Sequence, residues 1–158
     1  IFLAGPIRHT YDWQSKIALY FKYTVSEYVF ANPRLVRTNF NLDEQIDWET
    51  YYLNQSAKTG YIAFYLAAQT TEDKEESFAR TTRFELGEWF GKIQYDSKFK
   101  IIIGYDENFS GLTYILDRIK TYLKENPDKK KQIIISGIGL KKFVTTIDKI
   151  IENDSRRI

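Results

Sequence analysis

The residues best suited to chemistry lie in the run Ala79-Arg80-Thr81-Thr82-Arg83-Phe84-Glu85-Leu86-Gly87-Glu88-Trp89, where a carboxylate stands among two arginines and a tryptophan. Such a setting fits a nucleophile that attacks carbon. Thr82 and Glu85 have the spacing of a capping box, in which a hydroxyl and a carboxylate satisfy free N–H groups at a helix start. The spacing predicts Glu85 at the positive end of a helix dipole, which favours its ionised, nucleophilic form. The same pattern also serves as a plain helix cap, and the residues alone leave both readings open. Glu88, one turn on, is placed to tune Glu85 by like-charge repulsion. Arg80 and Arg83 either hold a substrate and restrain Glu85, or pair at the surface with the acidic stretch 72–76, which is worth little energetically.

A second site-like segment opens the chain. Ile1-Phe2-Leu3-Ala4-Gly5-Pro6-Ile7-Arg8 reads as a short buried strand running into a Gly5-Pro6 turn, the place where open parallel sheets build ligand sites at their carboxyl edges. Trp13, just beyond, either stacks on a ligand or fills the core, the commoner fate of an aromatic at helical spacing. Asp47 and Glu49 are further acid–base candidates, with a solvated helix face as the plain alternative.

The elements that must position these groups follow from hydrophobic period. Residues 12–27 carry Trp13, Ile17, Tyr20 and Phe21 at helical spacing, and 28–31 is a weak strand closed by Asn32-Pro33. A helix is predicted over 42–58 with Ile46, Trp48, Tyr52 and Leu53 available for burial, then a buried strand over 61–66 after the break at Gly60. The polar stretch 69–78 reads as a loop able to cover Glu85. Leu86, Trp89, Phe90 and Ile93 share the buried face of the following helix, while Glu85, Glu88 and Lys92 share its polar side. Residues 100–104 form a central strand, 113–124 a helix, 132–136 a short strand and 140–152 a terminal helix, with Phe143, Ile147 and Ile150 facing in. Strands alternating with helices predict a parallel α/β sheet.

Composition narrows the partners. The 158 residues, 43% hydrophobic and 16% aromatic, suffice for one core, so residues 1–158 are read as a single domain. The balance of 23 basic and 21 acidic side chains leaves only +2, too weak a field to call for a nucleic acid polymer or an anionic membrane. No stretch approaches the roughly 20 apolar residues of a membrane helix. With no cysteine and His9 as the one histidine, neither a disulfide framework nor a multi-histidine metal site is available, and an intracellular, cytoplasmic protein is expected. The absence of methionine, even at position 1, gives the expectation that the original start is missing, together with any targeting information it carried.

IFLAGPI at the first strand, the helix bearing Trp13, ARTTRFELGEW and GYDENFSGLTYI together resemble the nucleoside 2-deoxyribosyltransferase superfamily, in a branch carrying the ARTTRFELGEW-like motif. The resemblance reaches to about Leu116. It implies a flavodoxin-like, doubly wound α/β fold, a homo-oligomer, no cofactor or metal, and transfer of a 2-deoxyribosyl group between nucleobases through a covalent intermediate on Glu85. Substrate contacts would come from Gly5, Pro6, Trp13, Asp47, Glu49, Arg80, Arg83 and Glu88, with Asn108 or Tyr114 reaching a neighbouring subunit's site. Phe2 stands where members commonly carry a tyrosine, and Ala57-Lys58-Thr59-Gly60 lacks an aspartate common in the family. The alternatives are a nucleoside 5′-monophosphate N-glycosidase and a catalytically silent nucleotide-binding module. For the first of these, Arg8 suits a phosphate whereas Pro6 lacks the N–H of a phosphate nest.

Overall fold

The computed structural model describes residues 1–23, 28–36, 41–72 and 77–156. Four parallel strands, β1 (Phe2–Ala4), β2 (Ile62–Leu66), β3 (Ile101–Tyr105) and β4 (Ile133–Ile138), lie in the order β1-β2-β3-β4. Their apolar runs are buried on both faces, as a parallel sheet covered by helices requires. The flanking helices are α1 (Trp13–Lys22), α2 (Pro33–Val36), α3 (Leu42–Thr59), α4 (Arg80–Tyr95), α5 (Leu112–Glu125) and α6 (Leu140–Ser155), with a 3₁₀ turn at Pro127–Lys131. Core residues of α3, α4 and α5 cover one face of the sheet, and those of α1 and α6 cover the other. The result is the flavodoxin-like α/β architecture expected from the sequence.

The weak strand at 28–31 shrinks to one parallel bridge between Phe2 and Ala31, closed by Leu3 N–H to Ala31 O at 3.0 Å and Ala31 N–H to Ile1 O at 2.9 Å. Pro33 explains its shortness, because it carries no N–H and begins α2 at once. Counting that bridge as a rudimentary strand, the spatial order is 2-1-3-4-5 in chain order, so the topological switch point falls between β1 and β2.

Two helix starts differ from expectation. The capping box belongs to α3: the Asn41 side chain accepts from Glu44 N–H and Glu44 accepts from Asn41 N–H, both at 2.9 Å. No such box forms at Thr82 and Glu85. Helix α4 begins earlier, after Ala79 in the left-handed region at φ 57°, with no side-chain cap, and its first backbone bond runs from Arg83 N–H to Ala79 O at 3.0 Å. Thr82 is therefore a buried residue within the helix and Glu85 lies beyond its first turn. Helix α1 starts as read, capped by Asp12 on Ser15 N–H at 3.0 Å, and ends at Lys22; residues 24–27 of the longer helix expected lie outside the described residues. Ile46, expected inside, is 50% exposed.

Two glycines are fixed by close approach. Gly5 has φ +153°, and a Cβ there would lie 2.6 Å from Trp13 Cζ2 and against the Tyr65 carbonyl. A Cβ on Gly104 would lie 2.6 Å from Phe143 Cγ, so α6 is seated directly on β3.

Candidate active site

A cavity of about 620 Å³ opens at the carboxyl end of β1, at the switch point. Three segments wall it: the turn after β1 from Gly5 to His9, the first half of α3, and the stretch from Ser77 through the first turns of α4 to Glu85.

The turn is held from behind. Trp13 Nε1–H donates to Pro6 O at 3.1 Å from a fully buried ring that packs on Tyr65 and Phe143. Trp13 thus takes the core role of its two expected ones, and it does not line the cavity. Arg34 straps the same turn by donating to Ile7 O at 2.9 Å, while its Nε meets Asp12 at 3.0 Å. His9, at φ 57°, accepts Thr70 N–H through its carbonyl at 2.7 Å, and its Nδ1 lies 3.1 Å from Thr71 Oγ1. Those contacts tie the loop after β1 to the loop after β2.

On α3, Glu49 faces the cavity and its Oε1 accepts from Gln45 Nε2 at 2.8 Å, an i,i+4 pair one turn apart. Asp47 points elsewhere, exposed and outside the lining. On α4, Glu85 is half-buried and its carboxyl is pushed up to about 7, first by burial, then by the charges of Glu49 and Glu88. This reverses the expectation of a dipole-stabilised carboxylate, because dipole support fades after the first turn, which Glu85 has passed.

Of the other residues singled out in the sequence, Gly5, Pro6 and Arg80 line the cavity with Glu85 and Glu49. Glu88 is exposed and paired with Lys92 at 2.6 Å. Arg83 turns to the loop before α5, donating to Ser110 O at 2.8 Å with its guanidinium 4.9 Å over the Phe109 ring. Of the acidic stretch proposed as an alternative partner for the arginines, residues 73–76 lie outside the described residues. Asn108 and the 72% exposed Tyr114 sit on that same side, away from the cavity.

Sequence reasoning missed Gln45, Ser77, Thr81 and the strap Arg34. Gln45 was open to discovery through its i,i+4 spacing to Glu49; Arg34 was not, since its partners Gln14 and Ile7 lie 20 and 27 residues earlier in the chain, at no spacing a local pattern would show. It also missed Asp106, which follows β3 and accepts from the Tyr65 and Tyr11 hydroxyls and, at 2.9 Å, from Ala68 N–H. Burial and that network hold the Tyr65 phenol above its ordinary value, so it remains a donor.

The first-turn N–H groups of α4 lack intrahelical partners, and this turn lines the cavity beside the Ser77 and Thr81 hydroxyls and Arg8. One cavity is therefore lined by two carboxylates, Glu49 from α3 and Glu85 from α4, together with cationic and N–H donors. Among the described residues no group of His, Cys, Asp and Glu is arranged to hold a metal ion, and no helix is long and apolar enough to cross a membrane. Fold and cavity define the class: a doubly wound α/β protein with a ligand-sized, acid-bearing cleft at its switch point. Comparison with protein-family models, curated proteins and solved structures finds no match to the chain.

Proposed function

We propose that the chain exchanges nucleobases on 2′-deoxynucleosides, with Glu85 as the nucleophile. The observation that carries this reading is the pairing of Glu85 with Glu49 across a cavity of about 620 Å³ at the switch point. In the first half-reaction a Glu85 carboxylate oxygen bonds to C1′ as the C1′–N bond breaks, and the electron pair leaves with the base. The departing nitrogen takes a proton that solvent in the cavity supplies by way of Glu49, which Gln45 holds in place. Glu49 is preferred to Asp47 because only Glu49 lines the cavity. A second base then attacks C1′ from the face the first one left, the C1′–O bond breaks with its electron pair returning to the Glu85 carboxylate, and the base's proton leaves to solvent by way of Glu49. Transfer wins over hydrolysis to the extent that the bound base keeps water from the intermediate. The reading carries with it a cytoplasmic homo-oligomer that needs no cofactor.

A second reading, hydrolysis of nucleoside 5′-monophosphates, is favoured by Arg8, Arg80 and the α4 first turn in the same cavity. Chromatography separates the two. The chain is incubated with 2′-deoxyinosine plus adenine or cytosine, and separately with 2′-deoxyguanosine monophosphate, with Glu85→Ala as control. New deoxyadenosine or deoxycytidine, absent with the variant, supports transfer. Free guanine from the monophosphate alone moves the assignment to the hydrolase, and no product in either assay overturns both.

A further inference from the structure

At the opposite edge of the sheet, where β2 and β3 begin, a second recess of about 340 Å³ brings Lys58, Lys98 and Lys100 together with Tyr61 and Asp154. Its size falls in the range of small-ligand sites. Lys58 comes from the last turn of α3, whereas Lys98 and Lys100 come from the segment leading into β3, so the fold converges them across some forty residues of chain.

The recess is short of counter-charge. Ion pairs among the described residues engage Arg34, Lys92, Lys120 and Arg156, and none of the three lysines has a carboxylate within 4.0 Å. Asp154, the one carboxylate in the lining, already accepts the Tyr28 and Tyr61 hydroxyls at 2.8 and 3.0 Å. Asp96, close in sequence, is turned to the Lys98 N–H at 2.8 Å. Lys100 is held in place, its Nζ 3.5 Å from the Tyr61 hydroxyl and 5.0 Å from the ring centroid. Lys58 also faces the negative end of α3, which amounts to roughly half an elementary charge. Three ammonium groups against one carboxylate and that half charge leave the lining positive by more than one unit.

We propose that this recess is a binding site for a small phosphate-bearing anion, with Lys58, Lys98 and Lys100 as its cationic ligands. Ammonium groups on flexible stems hold phosphoryl oxygens as point charges, and three of them converging on one recess attract an anion together. A nucleic acid polymer fits less well, because the lysines converge on a pocket and the chain as a whole carries only +2. The proposal stands apart from the chemistry of Glu85.

Calorimetric titration of the full chain with inorganic pyrophosphate, at fixed ionic strength, tests it. Saturable binding of one equivalent is expected. It should weaken about tenfold or more in Lys58→Gln/Lys98→Gln, recover in Lys58→Arg/Lys98→Arg, and persist in Arg80→Gln, which alters only the other cavity. Lys100→Gln alone gives a second, single-site check, and circular dichroism confirms that each variant is folded. Absence of saturable binding, loss of binding in Arg80→Gln with none in the lysine variants, or binding of a single-stranded oligonucleotide without pyrophosphate would each overturn the proposal.

Discussion

The two faces of the sheet use the same strands in opposite ways. Along β2, Ala63 and Tyr65 turn toward α1 and α6, and Ile62, Phe64 and Leu66 toward α3 and α4, as strand alternation dictates. On the first side Trp13, Tyr65, Ile17, Phe143 and Ile147 are fully buried, and the aromatic donors find partners: Tyr65 and Tyr11 on Asp106, Trp13 on Pro6. On the second side the core is equally closed below, but at the carboxyl edge the helices part around a cavity in which Glu85 and Glu49 oppose each other electrostatically. One face holds the strand ends still; the other keeps an unfavourable charge arrangement where a ligand can relieve it. Stability and chemistry should therefore separate on mutation.

The largest effect expected is on turnover. Glu85→Gln keeps shape and removes the carboxylate, so base exchange should fall by about a thousandfold or more, with no loss of thermal stability. Retained turnover would remove Glu85 as nucleophile. On the closed face the opposite is expected. Phe143→Ala should cost about 3–5 kcal/mol in urea unfolding while the remaining folded molecules keep their activity. Gly104→Ala should cost about 1–3 kcal/mol, because its new Cβ meets the Phe143 ring. Adding Phe143→Leu to Gly104→Ala should recover part of that cost, whereas additive losses would show that the two residues do not share the strain.

Most of the fold was legible because its signals are local and periodic. The apolar runs at 62–66 and 101–105 and the i, i+3, i+4 faces of α4 and α6 carry the pattern in adjacent residues. The site was legible in its parts and not in its geometry. Glu85 and the Gly5-Pro6 turn were found because their neighbours in sequence are also their neighbours in space. The start of α4 was misread because Thr82-x-x-Glu85 satisfies a cap pattern, while the real start depends on a left-handed Ala79 that no residue preference announces. That three-residue displacement moved Glu85 past the dipole, and burial, followed by the charges of Glu49 and Glu88, raises its pKa instead. Arg83 was misassigned for a related reason: its partner, the Ser110 carbonyl, is 27 residues away and belongs to a loop whose position only the packed sheet determines.

Glu85 also gives the two properties opposite pH responses. Its folded value of about 7 lies above the ordinary 4.5, so between those values the folded chain binds more protons than the unfolded one. Its contribution to stability is fully present below about pH 4.5 and is lost as the pH rises toward 7, by about 1–3 kcal/mol in total. Urea unfolding at stepped pH should show this fall in the parent chain and a flatter curve in Glu85→Gln. In the proposed reaction the ionised form is the nucleophile, so base exchange should rise over the same interval. Coincident slopes in parent and variant would break the link between the cavity and the cost of its charge.

The finest test concerns which neighbour sets that value. Burial is the main cause, followed by Glu49 and then Glu88. Glu49 lines the cavity together with Glu85, whereas the exposed Glu88 is paired with Lys92 at 2.6 Å on the solvent side of α4. In the pH profile of kcat/KM, which reports the free enzyme, Glu49→Gln should move the acidic midpoint to lower pH by more than Glu88→Gln does. Glu49→Gln should also slow departure of the first base, and Glu88→Gln should leave the rate at the plateau nearly unchanged. If Glu88→Gln gave the larger shift, the charge opposing Glu85 would lie on the solvent side of α4, and the pairing of carboxylates across the cavity would lose its role in proton transfer.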